Sequence, residues 1–152
     1  MRFGLKKNQE GRMNSIETLN PFAKKTWARL ITQYPSWGPY FGTRDKDDLE
    51  VAVPAPLESN AGHLVIFTTE GKDLWVRFSA PYMCYAIDDL DEVLSVIKSL
   101  LNDEVWMVTI IHDGEWVETS LLIRGQDISL KPGQIAQFLS WSGRHDKTLT
   151  GS

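Results

Sequence analysis

The chain has 152 residues, a net charge of −4, 42% hydrophobic residues and 24% charged residues. Those values suit one globular domain and exclude a disordered chain, a collagen-like repeat and, with Cys84 the only cysteine, a disulfide scaffold. The charge is uneven: residues 35–123 hold five Lys/Arg against sixteen Asp/Glu, whereas 1–34 hold seven against two and 124–152 four against two. An acidic middle section repels phosphates, so it argues against non-specific nucleic-acid binding there, and it attracts basic proteins.

Residues 1–12 (MRFGLKKNQEGR) are polar and lack the apolar stretch of a secretory signal, so they are expected to be loose. A single domain is expected over 13–145, followed by a loose tail over 146–152. The longest nearly apolar run, 105–111, is too short to cross a bilayer, and a cytoplasmic protein is the simplest expectation.

Asn20-Pro21 opens the first helix, with Asn as cap and Pro at the first helical position. Ala23, Trp27, Leu30, Ile31 and Tyr34 recur at helical spacing, which leaves Lys24, Lys25 and Arg29 on a basic outer face. Pro35 ends this helix, and 36–48 read as a loop. Residues 49–57 fit a strand that Pro54 and Pro56 would confine to a sheet edge. A hairpin follows around Glu70-Gly71-Lys72. A two-residue turn at either dipeptide places Val65, Phe67, Leu74, Val76 and Phe78 on the buried face.

After a short strand or extended link over 82–87, Asp89 caps the second helix, with Glu92 at capping-box spacing. Leu90, Val93, Leu94, Ile97, Leu100 and Leu101 form its apolar stripe, and Asn102 stops it. The second hairpin turns at Asp113-Gly114, which pairs Ile110 with Val117, Val108 with Thr119 and Trp106 with Leu121. Residues 126–131 are a further strand candidate, and 134–142 fit strand alternation or a helical stripe equally well. The sum is an α+β fold: an antiparallel sheet of four to six strands built from two hairpins, with two helices packed on one face.

No motif names a reaction. His63, His112 and His145 lack metal-ligand spacing, and no cofactor motif is present, neither a P-loop nor a GxGxxG. The run Asp45-Lys46-Asp47-Asp48 lacks the glycine and final glutamate of a calcium loop. His112 and Glu115 should oppose each other at the second hairpin tip, as an acid–base pair or a plain cross-strand charge pair. Cys84 reads as a buried structural thiol; the alternative is a ligand or enzymatic pocket lined by Cys84, Tyr82, Tyr85 and His112. Ile66, Trp75, Ile111 and Trp116 would form an apolar patch if the second sheet face is uncovered. Trp37 and Tyr40 beside Asp45, Asp47, Asp48 and Glu50 combine aromatic anchors with acids, as an interface for a basic partner would. Asp113 and Glu115 are a second candidate set.

Three segments, KDLWVRFSAPY, DDLDEVLSVIKSLL and DGEWVETSLL, together with their order over about two fifths of the chain (62–123), resemble the small immunity proteins that accompany bacterial contact-dependent and polymorphic toxins. The resemblance implies a cytoplasmic, non-enzymatic protein that binds a cognate toxin domain and blocks its active site or substrate path. Many such toxins are basic nucleases, which suits the acidic middle section. The basic first helix departs from a uniformly acidic inhibitor. No individual residue role carries over from the resemblance.

Overall fold

The computed structural model describes residues 16–78, 83–87 and 89–152, the second of these by its backbone. The loose N-terminal segment expected over 1–12 and the link residue Tyr82 lie outside the described residues.

Helix α1 (Pro21–Gln33) starts where expected: the Asn20 side chain accepts the Ala23 N–H at 2.8 Å, and Pro21 fills the first helical position. Its buried face is Ala23, Thr26, Trp27 and Leu30, and Lys24, Lys25 and Arg29 point outward. A 3₁₀ turn (Pro35–Tyr40) follows at once. Helix α2 (Leu90–Leu101) is capped by Asp89, whose carboxylate accepts the Asp91 N–H, and buries Leu90, Val93, Leu94, Ile97 and Leu100.

The strands fall into two antiparallel sheets, where a single sheet of four to six was expected. The first holds β1 (Phe41–Arg44), β2 (Asp48–Pro54), β3 (His63–Thr69), β4 (Asp73–Phe78) and β5 (Met83–Ile87) in sequential order. The second holds β6 (Val105–His112), β7 (Glu115–Ile123), β8 (Gln134–Leu139) and β9 (Lys147–Thr150) in the order β7-β6-β8-β9. The α+β character and the antiparallel pairing stand as expected. Part of the loop expected over 36–48 is β1, so β2 is an interior strand, not an edge. Pro54 is tolerated because β1 pairs no further than Val51, which leaves β2 flanked on one side at its last residues.

The first hairpin corrects the expected face. Glu70 and Gly71 both adopt left-handed backbone (φ 55° and 67°), and the Lys72 N–H closes the turn on the Thr69 carbonyl at 3.1 Å. The ladder, however, pairs Thr69 with Asp73, so the loop has one residue more than either two-residue turn. That extra residue shifts β3 by one against the expected register. Leu64, Ile66 and Thr68 therefore face the helices with Leu74, Val76 and Phe78, and Val65, Phe67 and Trp75 lie on the outer face. Ile66 is core, not part of an outer patch. Arg44 lies over the Phe67 ring at 4.0 Å, and Trp75 stacks parallel to Phe67 at 6.1 Å, which shields the outer face.

The second hairpin turns at Asp113-Gly114 as expected, with His112 opposite Glu115 and Ile111 opposite Trp116. A β-bulge at Ile110/Ile111 then inserts Val117, and deeper pairs shift by one: Ile110 meets Glu118, Val108 meets Ser120, Trp106 meets Leu122. Residues 134–139 resolve as strand, so alternation wins over the helical stripe. Residues 126–131 form no strand; Ile128 and Leu130 instead cover Trp106, Val108, Ile110, Ala136 and Phe138. The tail expected to be loose from 146 pairs as β9 on β8.

One large cluster joins α1, α2, the inner face of the first sheet, Met107 and Trp141. Asn20 ties α1 to it from outside: its side-chain N–H₂ donates to the Asp48 carboxylate at 2.9 Å and to the Asp47 carbonyl at 3.0 Å. Because Asn20→Ala removes a helix cap and these two bonds together, it is expected to lower stability by about 2 kcal/mol, read from urea midpoints at unchanged slope.

Candidate functional site

Antiparallel register decides where the acidic residues gather. β1 runs into the turn at 45–47, β3 into the turn at 70–72, and β5 into the start of α2. In a sheet of sequential antiparallel strands these three connections lie at one end. The N-terminus of α1 joins them, since the Asn20 N–H donates to the Asp47 carbonyl at 2.9 Å. Asp45, Asp47, Glu70, Asp73, Asp89, Asp91 and Glu92 are all exposed there. Exposed cations at this end are Lys46 and Lys72 in the turns and Lys24 and Lys25 in the first turns of α1, and Arg29 of α1 reaches Asp91 at 2.7 Å. Both α1 and α2 start at this end, and the positive ends of their dipoles help to hold the carboxylates.

The eight candidate residues separate into different roles. Asp45 and Asp47 are exposed at the β1–β2 turn, Asp45 in left-handed backbone (φ 54°). Asp48 is buried, 4% exposed, and not offered to a partner. Its carboxylate accepts from Asn20 Nδ2 at 2.9 Å, Thr68 Oγ1 at 2.9 Å, Glu70 N at 3.0 Å and Gly71 N at 3.3 Å. Burial alone would push this carboxyl up, but the hydrogen bonds from Asn20, Thr68 and the two backbone N–H groups outweigh it and hold it below its ordinary value. Glu50 is half-buried on the outer sheet face, 3.6 Å from Arg44.

Trp37 is not a surface anchor. It is 6% exposed and stacks on Tyr34 at 4.1 Å, and burial pushes the Tyr34 phenol up. Tyr40 packs half-buried against the core. Both belong to the 3₁₀ turn that precedes β1, so a whole strand separates them from Asp45 and Asp47. Asp113 and Glu115 are exposed but sit in the other sheet, at the β6–β7 tip. There His112 Nε2 lies 3.3 Å from Asp113 Oδ2, so its acidic neighbour is Asp113 and not the opposed Glu115.

Glu70, Asp73, Asp89, Asp91 and Glu92 are not among the candidates the sequence singles out, and the fold places them, exposed, at the same end as Asp45 and Asp47. The signal that finds them is the strand count: each acid follows or precedes a strand at the same end of the ladder.

The pocket expected near Cys84 and His112, and the buried thiol expected at Cys84, rest on side chains (Tyr82, Cys84, Tyr85) that lie outside the described ones. Backbone register puts Cys84 beside Arg77 and Tyr85 beside Val76 in the first sheet, and His112 opposite Glu115 in the second. A depression of about 440 Å³ exists elsewhere, lined by Asn60, Gln137, Phe138, Leu139, Asp146, Lys147 and Thr148. Its carboxylate is already committed: Asp146 accepts from Ser140 N at 2.7 Å, Ser140 Oγ at 3.2 Å and Asn60 Nδ2 at 3.0 Å. No group of three or more His, Cys, Asp or Glu among the described residues is placed to hold a metal ion, and no described helix is long and apolar enough to cross a membrane.

Compared with protein-family models, curated proteins and solved structures, the chain matches none of them.

Proposed function

We propose that this protein binds a basic protein domain through the carboxylate-rich end of the five-stranded sheet, in the manner of an immunity protein that occludes a cognate toxin. The observation that carries the reading is the convergence of seven exposed carboxylates, from two turns and a helix start, on that end. The resemblance in the sequence supplies the partner class, and the charge layout agrees with it. Such a field steers a cationic partner into encounter and contributes more to the association rate than to the final affinity. Asp48 contributes indirectly, by fixing the turns that carry Asp45, Asp47 and Glu70.

The test uses the product of the open reading frame next to this gene, in particular any basic C-terminal domain. Stopped-flow association should slow by roughly tenfold at low salt when Asp45 and Asp47 are both changed to Lys, and its salt dependence should flatten. An association rate equal to that of the unaltered protein would remove the electrostatic reading. Both residues are exposed, so the double variant is expected to fold.

A further inference from the structure

Among the described residues, strand β7 is an edge of the four-stranded sheet with β6 as its one ladder neighbour, and β5 approaches it without pairing. Edge strands leave a row of backbone donors and acceptors open to another chain. This one also carries its apolar side chains outward. Trp116 is 57% exposed and Val117 47%, and both lie next to the Asp113-Gly114 turn. Cross-strand register extends the apolar surface, because Trp116 is opposite Ile111 and Ile111 is opposite Ile135, the latter two half-buried. Trp116 is held in place by its indole N–H, which donates to Thr119 Oγ1 at 2.9 Å.

The chemistry around this row is one-sided. Residues 113–123 hold Asp113, Glu115 and Glu118 and not one Lys or Arg. Glu115 and Glu118 are both exposed and flank Trp116 and Val117. We propose that residues 115–119 of β7 are a docking edge for an extended, lysine- or arginine-bearing segment of a partner protein. The segment would add alongside β7, cover Trp116 and place cations against Glu115 and Glu118. A second copy of this chain is the poorer occupant. Antiparallel pairing centred on Trp116 and Val117 sets Glu115 of one copy directly opposite Glu118 of the other, and like charges so placed are destabilising. Acids and a bulge also protect an edge from self-association, but an edge built only for protection would not turn a tryptophan outward.

The experiment titrates the full-length, ¹⁵N-labelled protein with a short peptide alternating Lys and Val, and with its Glu/Val counterpart. The Lys/Val peptide should shift the backbone resonances of 115–119 and the Trp116 indole, and the Glu/Val peptide should not. Trp116→Ser with Val117→Ser should weaken the interaction by roughly tenfold or more. Glu115→Lys with Glu118→Lys should reverse the peptide preference. Asp45→Lys with Asp47→Lys should leave it unchanged, which separates this edge from the function proposed above. Equal response to both peptides, or shifts confined to other strands, would overturn the proposal. A dimer in sedimentation that dissolves with Trp116→Ser would overturn it in favour of self-pairing.

Discussion

Asp48→Ala is expected to lower the unfolding free energy by about 3–4 kcal/mol, since it strips the acceptor from four donors in a buried setting. Asp48→Asn should cost less, about 2 kcal/mol, because one oxygen remains while the amide presents N–H groups to other donors. Acid sensitivity distinguishes these losses from simple loss of packing. The folded carboxyl titrates below its ordinary value, so its stabilisation is full above about pH 4 and is lost as the pH falls through the lowered folded value. Unfolding midpoints of the unaltered protein should therefore drop below about pH 4 more steeply than those of Asp48→Asn. Parallel curves for the two proteins would show that the carboxylate is not ionised in the folded state.

The second large effect is expected at Phe78. Among the described residues it is the largest fully buried side chain, 0% exposed, and its ring centroid lies 6.0 Å from that of Trp141, just beyond the end of β8. It thus packs the five-stranded sheet against the segment that follows β8. Phe78→Ala should cost about 4 kcal/mol through lost transfer energy and a residual cavity. Phe78→Leu should cost under about 1.5 kcal/mol, because most of the volume is kept. Urea denaturation followed by tryptophan fluorescence measures both. A small loss for Phe78→Ala would mean that Trp141 and its neighbours collapse into the space.

Helices were the most legible part of the chain, because their signals are local. Asn20-Pro21 and Asp89 mark their own helix starts, and the stripe from Leu90 to Leu100 names its own buried face. Strand faces were less legible, because a parity of two turns on a single residue. Lys72 adds one residue to the first hairpin loop and Val117 adds one inside the second, and each moves the deeper pairs by one. Neither insertion has a composition signal. Division into two sheets was also hidden, since it depends on which strands pair across the α2 connection.

The candidate site was legible in charge and illegible in place. The acids near Asp45 and Asp47 were visible as a run, but Trp37 looked like an interface residue only while 36–48 read as a loop. With β1 formed, Trp37 turns into the core and the acids of the next turn and of α2 take its place beside Asp45. Some charge is neutralised within the fold, by Arg29 at Asp91 and Arg44 at Glu50, and the remaining carboxylates at that end stay outward.

The bulge at Val117 gives the second hairpin two phases along one strand. At its base, the alternation of β7 answers to the two cores, with Leu121 against the large cluster and Leu122 against the one that Ile128 and Leu130 cover. At its tip, the phase is set anew by the Asp113-Gly114 turn and answers to solvent. Mutational drift at Glu115 or Trp116 is thereby uncoupled from the packing that keeps the protein folded, and the arm is free to diversify at its outer end while its root stays constant.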